Sequence, residues 1–427
     1  MHSAVHQTEN MLFVTLLQLI VMIAAARLMN TVFRKLGQPG VIGEIMAGLM
    51  LGPSLLGHLF PDASRALFGA TASAPITMIS QIGLILLMFQ IGSDFEFRLL
   101  KTRRNRAAVV AVAVASLGVP LAAGLFIGRL SAPTLAGGID PLTYSLFFGV
   151  AMAITAVPIL GRILRGFGLT RSELGVVAIS AAAINDVVGW VALAAVSAYA
   201  AARFSGAGVA LQVGGLLLLL AAMWFLLRPA VDWLIRRFPV PASGELPPNL
   251  IAIVICLVFV IGVCTYKLGV FAIFGGFAAG LLFHRHEAFV AAWRRQVGQL
   301  VLVFFLPVFF TYTGLRTNVL GLSTASDLQW LAIVLAAAVV AKVVPVYLAA
   351  RVSGFDQDDS LILGTLMNTR ALMELIVLNI GFDLGFIPQK VFTMLVIMAV
   401  ATTVMTGPLL KVLLRQTGRA IPVGVEA

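Results

Sequence analysis

The chain has 427 residues, 60% of them hydrophobic and only 11% charged, with 29 Lys and Arg against 18 Asp and Glu for a net charge of +11. Water cannot solvate such a composition, which excludes a soluble enzyme or scaffold and points to an all-α polytopic membrane protein. The two cysteines, Cys256 and Cys264, are too few for a disulfide framework, and the excess of basic charge is first tested as a membrane-topology signal before any nucleic-acid partner is entertained.

A crossing takes about 20 apolar residues. In chain order the apolar runs predict thirteen spans, at 11–29, 39–56, 75–93, 107–128, 142–161, 173–199, 207–227, 248–265, 268–283, 297–315, 328–350, 360–380 and 390–410. The first run has no basic leader and no small-residue cleavage site, so it reads as a transmembrane helix and not as a signal peptide. The longest loops, near Pro61–Ala74 and Arg236–Asn249, are short, as is the tail after Lys411, and no cytosolic regulatory domain is expected. The whole chain reads as one transmembrane domain. Residues 1–206 form a first repeat, 207–247 a linker helix and loop, and 248–415 an inverted repeat.

The basic residues test the span count independently, because cytoplasmic loops are enriched in Lys and Arg. Most follow odd-numbered spans, as with Arg34 and Lys35, Arg98 to Arg106, Arg162 to Arg171, Arg236 and Arg237, Arg294 and Arg295, and Lys411. Only Arg65, Arg129, Arg203, Lys267, Arg316 and Lys390 follow even-numbered ones. A wrong count would scramble that alternation. It places the N-terminus outside and the C-terminus in the cytoplasm of a cell inner (plasma) membrane, and it uses up the positive charge, leaving no nucleic-acid partner.

A charge in the hydrocarbon core costs at least about 3 kcal/mol, so each is a functional candidate. Five stand out: Glu44 in span 2, Asp186 in span 6, Lys342 in span 11, and Arg370 with Glu374 in span 12. Around Asp186, in "SAAAINDVVGW", Ala182, Ala183 and Gly189 share its helical face and leave room for a neighbouring helix or a hydrated cavity. A carboxylate merely paired with a cation on another helix is the structural alternative. Lys342 is too deep to snorkel and needs a partner or a cavity. Glu374 follows Arg370 by one turn, so these two can neutralise each other, in a structural or a transport role. Glu44, just after Gly43, could equally cap or pack its helix.

Two spans read as broken. In "AMAITAVPILGRIL" Pro158 removes an N–H and crowds the Ile154 carbonyl, loosening the helix around Thr155–Val157. In "GTLMNTRALMELIVL" Gly364, Asn368, Thr369 and Arg370 interrupt an apolar run. These are spans 5 and 12. Spans 2 and 9, with the same offset of seven, begin alike, "GVIGEIMAGLMLG" from Gly40 and "GVFAIFGGFAAGLL" from Gly269. An odd offset reverses orientation, so the pattern predicts an inverted-topology repeat with substrate near the midplane between discontinuous helices.

The motifs "QPGVIGEIMAGLMLGPSLLG", "ITAVPILGRIL", "SAAAINDVVGW", "LPVFFTYTGLRTNV" and "LMNTRALMELIVLNIGFDLG" resemble, in order and over nearly the whole chain, the monovalent cation:proton antiporter superfamily. The similarity is to the branch of plant-type cation/H+ exchangers and bacterial Kef and Na+/H+ antiporter relatives. The resemblance implies the sodium/proton antiporter fold, thirteen helices with two unwound ones crossing in a mobile core domain, and a dimerisation domain that makes a homodimer. It maps the ion-binding carboxylate onto Asp186, the residue before it onto Asn185 where relatives often have aspartate, the membrane lysine onto Lys342 and the unwound-helix threonine onto Thr155. Arg370 stands where several exchangers carry lysine. On this reading Na+ or K+ and H+ compete for Asp186, with Thr155 and freed backbone carbonyls as neutral oxygen ligands. Asn185 adds no second titrating group, so exchange is expected to be electroneutral. No cofactor is expected beyond the transported ions.

Rival classes fit less well. An intramembrane aspartyl protease needs two facing aspartates, and only Asp186 is deep in a span; the histidines lie at ends and loops. A channel needs a filter of repeated carbonyls or a ring of charges. A proton- or sodium-coupled symporter of an organic solute on a similar inverted-repeat scaffold is the stronger alternative.

Overall fold

The structure is a computed structural model, and it describes residues 2–69, 73–94, 103–155, 157–169, 172–200, 206–241, 244–268, 271–370 and 372–417. Among them all regular structure is helical. In chain order the helices are α1 (His2–Lys35), α2 (Gly40–Leu51), α3 (Leu56–Leu59), α4 (Pro61–Phe68), α5 (Ser73–Ser93), α6 (Arg103–Leu135), α7 (Pro141–Ala153), α8 (Val157–Gly166), α9 (Glu173–Ala200) and α10 (Gly206–Ala222). A π-turn joins α10 to α11 (Arg228–Arg237), followed by α12 (Pro248–Lys267), α13 (Ala272–Phe283) and α14 (Glu287–Leu300). A second π-turn leads into α15 (Leu306–Leu315), and the chain ends with α16 (Ala325–Val352), α17 (Gln357–Met367), α18 (Leu372–Asp383) and α19 (Gln389–Gln416). Arg98, Lys101, Arg171, Arg203 and Arg419 of the topology argument, and Gly269 at the head of the second repeat motif, lie outside the described residues.

Eleven of these helical stretches are long and apolar enough to cross a membrane, and two shorter apolar helices, Pro141–Ala153 and Ala272–Phe283, accompany them. Several run well past the apolar segments predicted for them. The sequence pattern registers where side chains turn polar, whereas a helix continues until a cap or breaker stops it. Thus α6 extends to Leu135, and α16 starts at a capping box in which the Thr324 hydroxyl accepts from the Asp327 N–H at 3.1 Å and Asp327 returns the bond to the Thr324 N–H. Asp140 is the N-cap of α7, its carboxylate accepting from the Thr143 N–H and hydroxyl at 2.8 Å each. Those two bonds hold the Asp140 carboxyl below its ordinary range.

The chain divides into two compact units, each drawn from separated stretches of sequence. The first comprises Met1–Ala24, Arg65–Phe97 and Ser197–Tyr312. Within it α5 meets α13 at backbone distance, and a methyl group on Gly276 or Gly280 would run into the facing chain at Ile85 or Phe89. Phe89, Phe283, Phe289 and Trp293 form an aromatic cluster beside that contact, with centroids 4.7 to 5.9 Å apart.

The second unit comprises Ala25–Ser64, Arg98–Val196 and Thr313–Ala427, and it contains Glu44, Thr155, Pro158, Asn185, Asp186, Lys342, Arg370 and Glu374. In it α6 and α7 pack closely because a methyl on Gly124 would come within 2.7 Å of the Gly149 Cα. The long helix α16 packs against both α6 and α17.

Candidate functional site

The local reason for a site lies in the interruption between α7 and α8. Helix α7 stops at Ala153, and Ile154 adopts an extended conformation with ψ 145°. Helical geometry resumes at Val157, and Pro158 sits in the first turn of α8, where a missing N–H has no helical partner to lose. Proline therefore marks the restart of the helix, four residues beyond the extended Ile154. Thr155, in the gap, is fully buried.

In an unbroken helix the Ala153 carbonyl would accept from the Val157 N–H. Here the two halves of that bond are given to opposite charges. The oxygen accepts from Lys342 Nζ at 2.6 Å. The N–H donates to the carboxylate of Asp186. Irregular backbone at membrane depth survives only when such groups find partners in the protein or in a hydrated cavity, and the break is stabilised by doing so. Helix α9 can come this close because Gly189 faces Ile154, to which a methyl there would lie 2.9 Å away. The small face around Asp186 thus admits the broken chain itself.

Lys342 is fully buried, and its second acceptor is the Ser116 carbonyl, also at 2.6 Å. Ser116 in turn accepts from Asn185 Nδ2 at 2.6 Å through its hydroxyl, whose own proton goes to the Ala113 carbonyl at 3.2 Å. That chain fixes the Asn185 amide with nitrogen toward Ser116 and leaves its oxygen for other work. The structure thus ties Lys342 to two carbonyls and, through Ser116, to Asn185, while it lies in electrostatic range of Asp186, Arg370 and Glu374. Ser116 was not among the residues predicted from sequence. A serine is unremarkable in an apolar helix, and its one signal is Pro120, four residues on.

Three buried oxygens on these segments have no hydrogen-bond partner among the described residues: Thr155 Oγ1, Asn185 Oδ1 and Asp186 Oδ1. Buried acceptors are normally satisfied, so such a concentration is what a binding site for a hard cation or its waters looks like.

The second interruption separates α17 from α18, with Ala371 outside the described residues. Arg370 lies in it, fully buried, its N–H donating to the Thr403 hydroxyl at 3.2 Å and Nη2 to the Ala338 carbonyl at 3.3 Å. Glu374, in the first turn of α18, is the nearest opposite charge, at 3.7 Å. The pair anticipated on one helix face does form, but across a helix start, and at a separation too long for a hydrogen bond. Glu44 does another job: it is buried on α2 and accepts from Asn30 of α1 at 2.6 Å, so its carboxylate ties those two helices together.

The chain is similar to known proteins over nearly its whole length. The model of the family described as "Sodium/hydrogen exchanger, transmembrane" matches residues 20–416. Similar proteins include the Na(+)/H(+) antiporter NhaS4 of Synechocystis, 35% identical over 94% of this chain and 97% of its own length. The Cation/H(+) antiporter 17 of Arabidopsis thaliana is 34% identical over 94% of this chain, and the K(+)/H(+) antiporter 1 of Saccharomyces cerevisiae 26% identical over 95%. The chain spans about half the length of these plant and yeast relatives, 48% and 47% respectively. The sodium proton antiporter MjNhaP1 of Methanocaldococcus jannaschii has a similar fold, with TM-score 0.63 over 95% of both chains at 16% identity. With the family model covering nearly the whole chain and a relative matched end to end, the chain belongs to the sodium/hydrogen exchanger family.

Proposed function

We propose that this protein is a secondary transporter that exchanges Na+ or K+ for H+ by alternating access, the two ions competing for Asp186. The observation that carries the reading is the buried trio Thr155 Oγ1, Asn185 Oδ1 and Asp186 Oδ1, unpartnered beside a helix break. A hard monovalent cation seeks oxygen ligands, one of them charged. Asp186 supplies the charge, and Thr155 and Asn185 the neutral oxygens. A proton on Asp186 removes the charge and with it the site, so one carboxylate carries either ion but not both. Lys342, tied to α6 and α7 by two carbonyls, is the counter-charge that the carboxylate faces when it holds neither. Asn185 orients the site without titrating, and exchange is one proton for one cation. Family membership and the antiport named in its relatives favour this over a symporter of an organic solute.

The rest of the architecture follows the same reading. The eleven long helices with the two short ones make thirteen crossings, α7–α8 and α17–α18 being the unwound pair of an inverted repeat, with residues 1–206 and 248–415 as its halves. The N-terminus is outside and the C-terminus cytoplasmic in a plasma membrane. The active form is a homodimer in which the unit holding Asp186 moves. Arg370 and Glu374 compensate charge at the second break. Purified protein in liposomes with an internal pH dye tests the function. Antiport predicts that Na+ or K+ added outside enters in exchange for lumenal protons and alkalinises the lumen, with no organic solute present. A proton flux that requires an organic solute would transfer the chain to the symporter reading.

A further inference from the structure

Helix α6 contains two prolines, Pro120 and Pro133. The first has a specific consequence. Its i−4 residue is Ser116, whose carbonyl would take the N–H that Pro120 does not have, and the proline ring also crowds that oxygen away from the helix axis. At membrane depth and with Ser116 and Pro120 both buried, the carbonyl needs another donor. It receives Lys342 Nζ at 2.6 Å. The other acceptor of Lys342, the Ala153 carbonyl, has lost its helical donor in the same way, since the Val157 N–H has gone to Asp186. Lys342 is therefore suspended between two carbonyls that two helices have released.

We propose that Pro120 is a positioning residue for ion exchange: by withholding an N–H it reserves the Ser116 carbonyl for Lys342 and so keeps Nζ on the α6 side of Asp186. The turn at Ser116 then sets both neighbours of the ion-binding carboxylate, Lys342 through its carbonyl and Asn185 through its hydroxyl. The inference rests on the exchange mechanism proposed above. An N–H at position 120 would return the Ser116 carbonyl to its helix. Lys342 would keep only Ala153, and its amine would swing toward Asp186 as a competitor of the cation. A proline that only bends the helix predicts something different, namely a better-formed α6 in Pro120→Ala with unchanged ion binding.

The experiment compares Pro120→Ala, Pro133→Ala and Lys342→Met, alone and with Pro120→Ala added to Lys342→Met. Two readouts are used: half-saturating Na+ and K+ in proteoliposomes, and the cation-dependent rise in melting temperature of the purified protein, which does not require turnover. The expected result for Pro120→Ala is a roughly tenfold weaker cation affinity with maximal rate within about twofold, the size expected for one hydrogen bond to a charged group. Pro133→Ala leaves both readouts unchanged, and the Pro120→Ala effect disappears in the Lys342→Met background, as coupled sites require. Pro120→Ala behaving like Pro133→Ala, or an effect that persists undiminished without Lys342, overturns the proposal. Should Pro120→Ala fail to fold, Pro120→Gly restores the same N–H, and failure of both would assign Pro120 to structure alone. Absence of exchange in the wild type would instead remove the functional reading, while the Pro120–Lys342 coupling in melting temperature would still decide the inference.

Discussion

Replacing Thr155 with valine keeps the side-chain shape and deletes one oxygen, and the structure gives the two consequences opposite signs. Thr155 is fully buried and its hydroxyl has no hydrogen-bond partner among the described residues. A buried hydroxyl left unsatisfied costs about 1–3 kcal/mol. In the absence of cation, Thr155→Val should therefore be more stable than the wild type, by about 1 kcal/mol at the conservative end of that range. If the hydroxyl is a neutral ligand of the transported ion, its loss should weaken cation binding by about the same energy or slightly more, which is roughly tenfold in half-saturating concentration. Maximal rate should change little, since the carboxylate that binds the proton remains. Melting of the purified protein without and with saturating Na+ or K+ reads both effects in one experiment, and proteoliposome assays give the affinity independently. A variant that is less stable without cation and binds it as the wild type does would refute the reasoning, and would make Thr155 a backbone feature of the break.

Other outcomes follow from the same geometry. Asp186→Asn should abolish exchange and also the cation-dependent rise in melting temperature, while the protein remains folded; robust antiport in that variant would take Asp186 out of the centre of the mechanism. Arg370→Met should destabilise by about 3–5 kcal/mol because it strands the buried Glu374, and Arg370→Met with Glu374→Leu should recover most of that loss; denaturation of the three variants decides it. Asp140, whose carboxyl is held low by Thr143, contributes stability that is present above the ordinary carboxylate range and disappears as the pH falls through its depressed value. Asp140→Ala should accordingly lower the melting temperature at neutral pH, with the gap to wild type closing in acid. With matched ion gradients, the exchange rate should not vary with membrane potential; a steep voltage dependence would mean that a second proton moves, with Lys342 as the group to carry it.

How much of this was legible beforehand depended on whether the signal was local. The long apolar helices are readable because hydrocarbon thickness sets the length of an apolar run, and the first break because proline marks the restart of its helix. The second break carries no proline, yet Asn368, Thr369 and Arg370 in an apolar segment pointed to it. Asp186 and Lys342 stood out because charge at depth is expensive. What they touch was not readable. Lys342 binds two backbone carbonyls from residues 116 and 153, and any residue type can supply a carbonyl. Ser116 carries no distinguishing signal for that reason, and the role of Pro120 becomes visible only once Lys342 is seen on the carbonyl of Ser116, four residues upstream of the proline. Glu44 stands out in the sequence as a charge within an apolar span, but its tie from α2 to α1 through Asn30 is a contact that sequence spacing does not single out. The grouping of helices into compact units was equally hidden, because each unit collects stretches far apart in the chain.

The central claim is that one proton and one cation compete for a single carboxylate, and the dependence of cation affinity on pH tests it most directly. Half-saturating Na+ and K+ would be measured in proteoliposomes at a series of pH values, with the internal and external pH set equal and the membrane potential clamped at zero. Competition at Asp186 predicts that, on the acid side of the profile, the half-saturating concentration rises about tenfold for each unit fall in pH, while the maximal rate at saturating cation is retained. A half-saturating concentration that does not move with pH, with only the maximal rate falling in acid, would contradict the account and separate the proton site from the cation site.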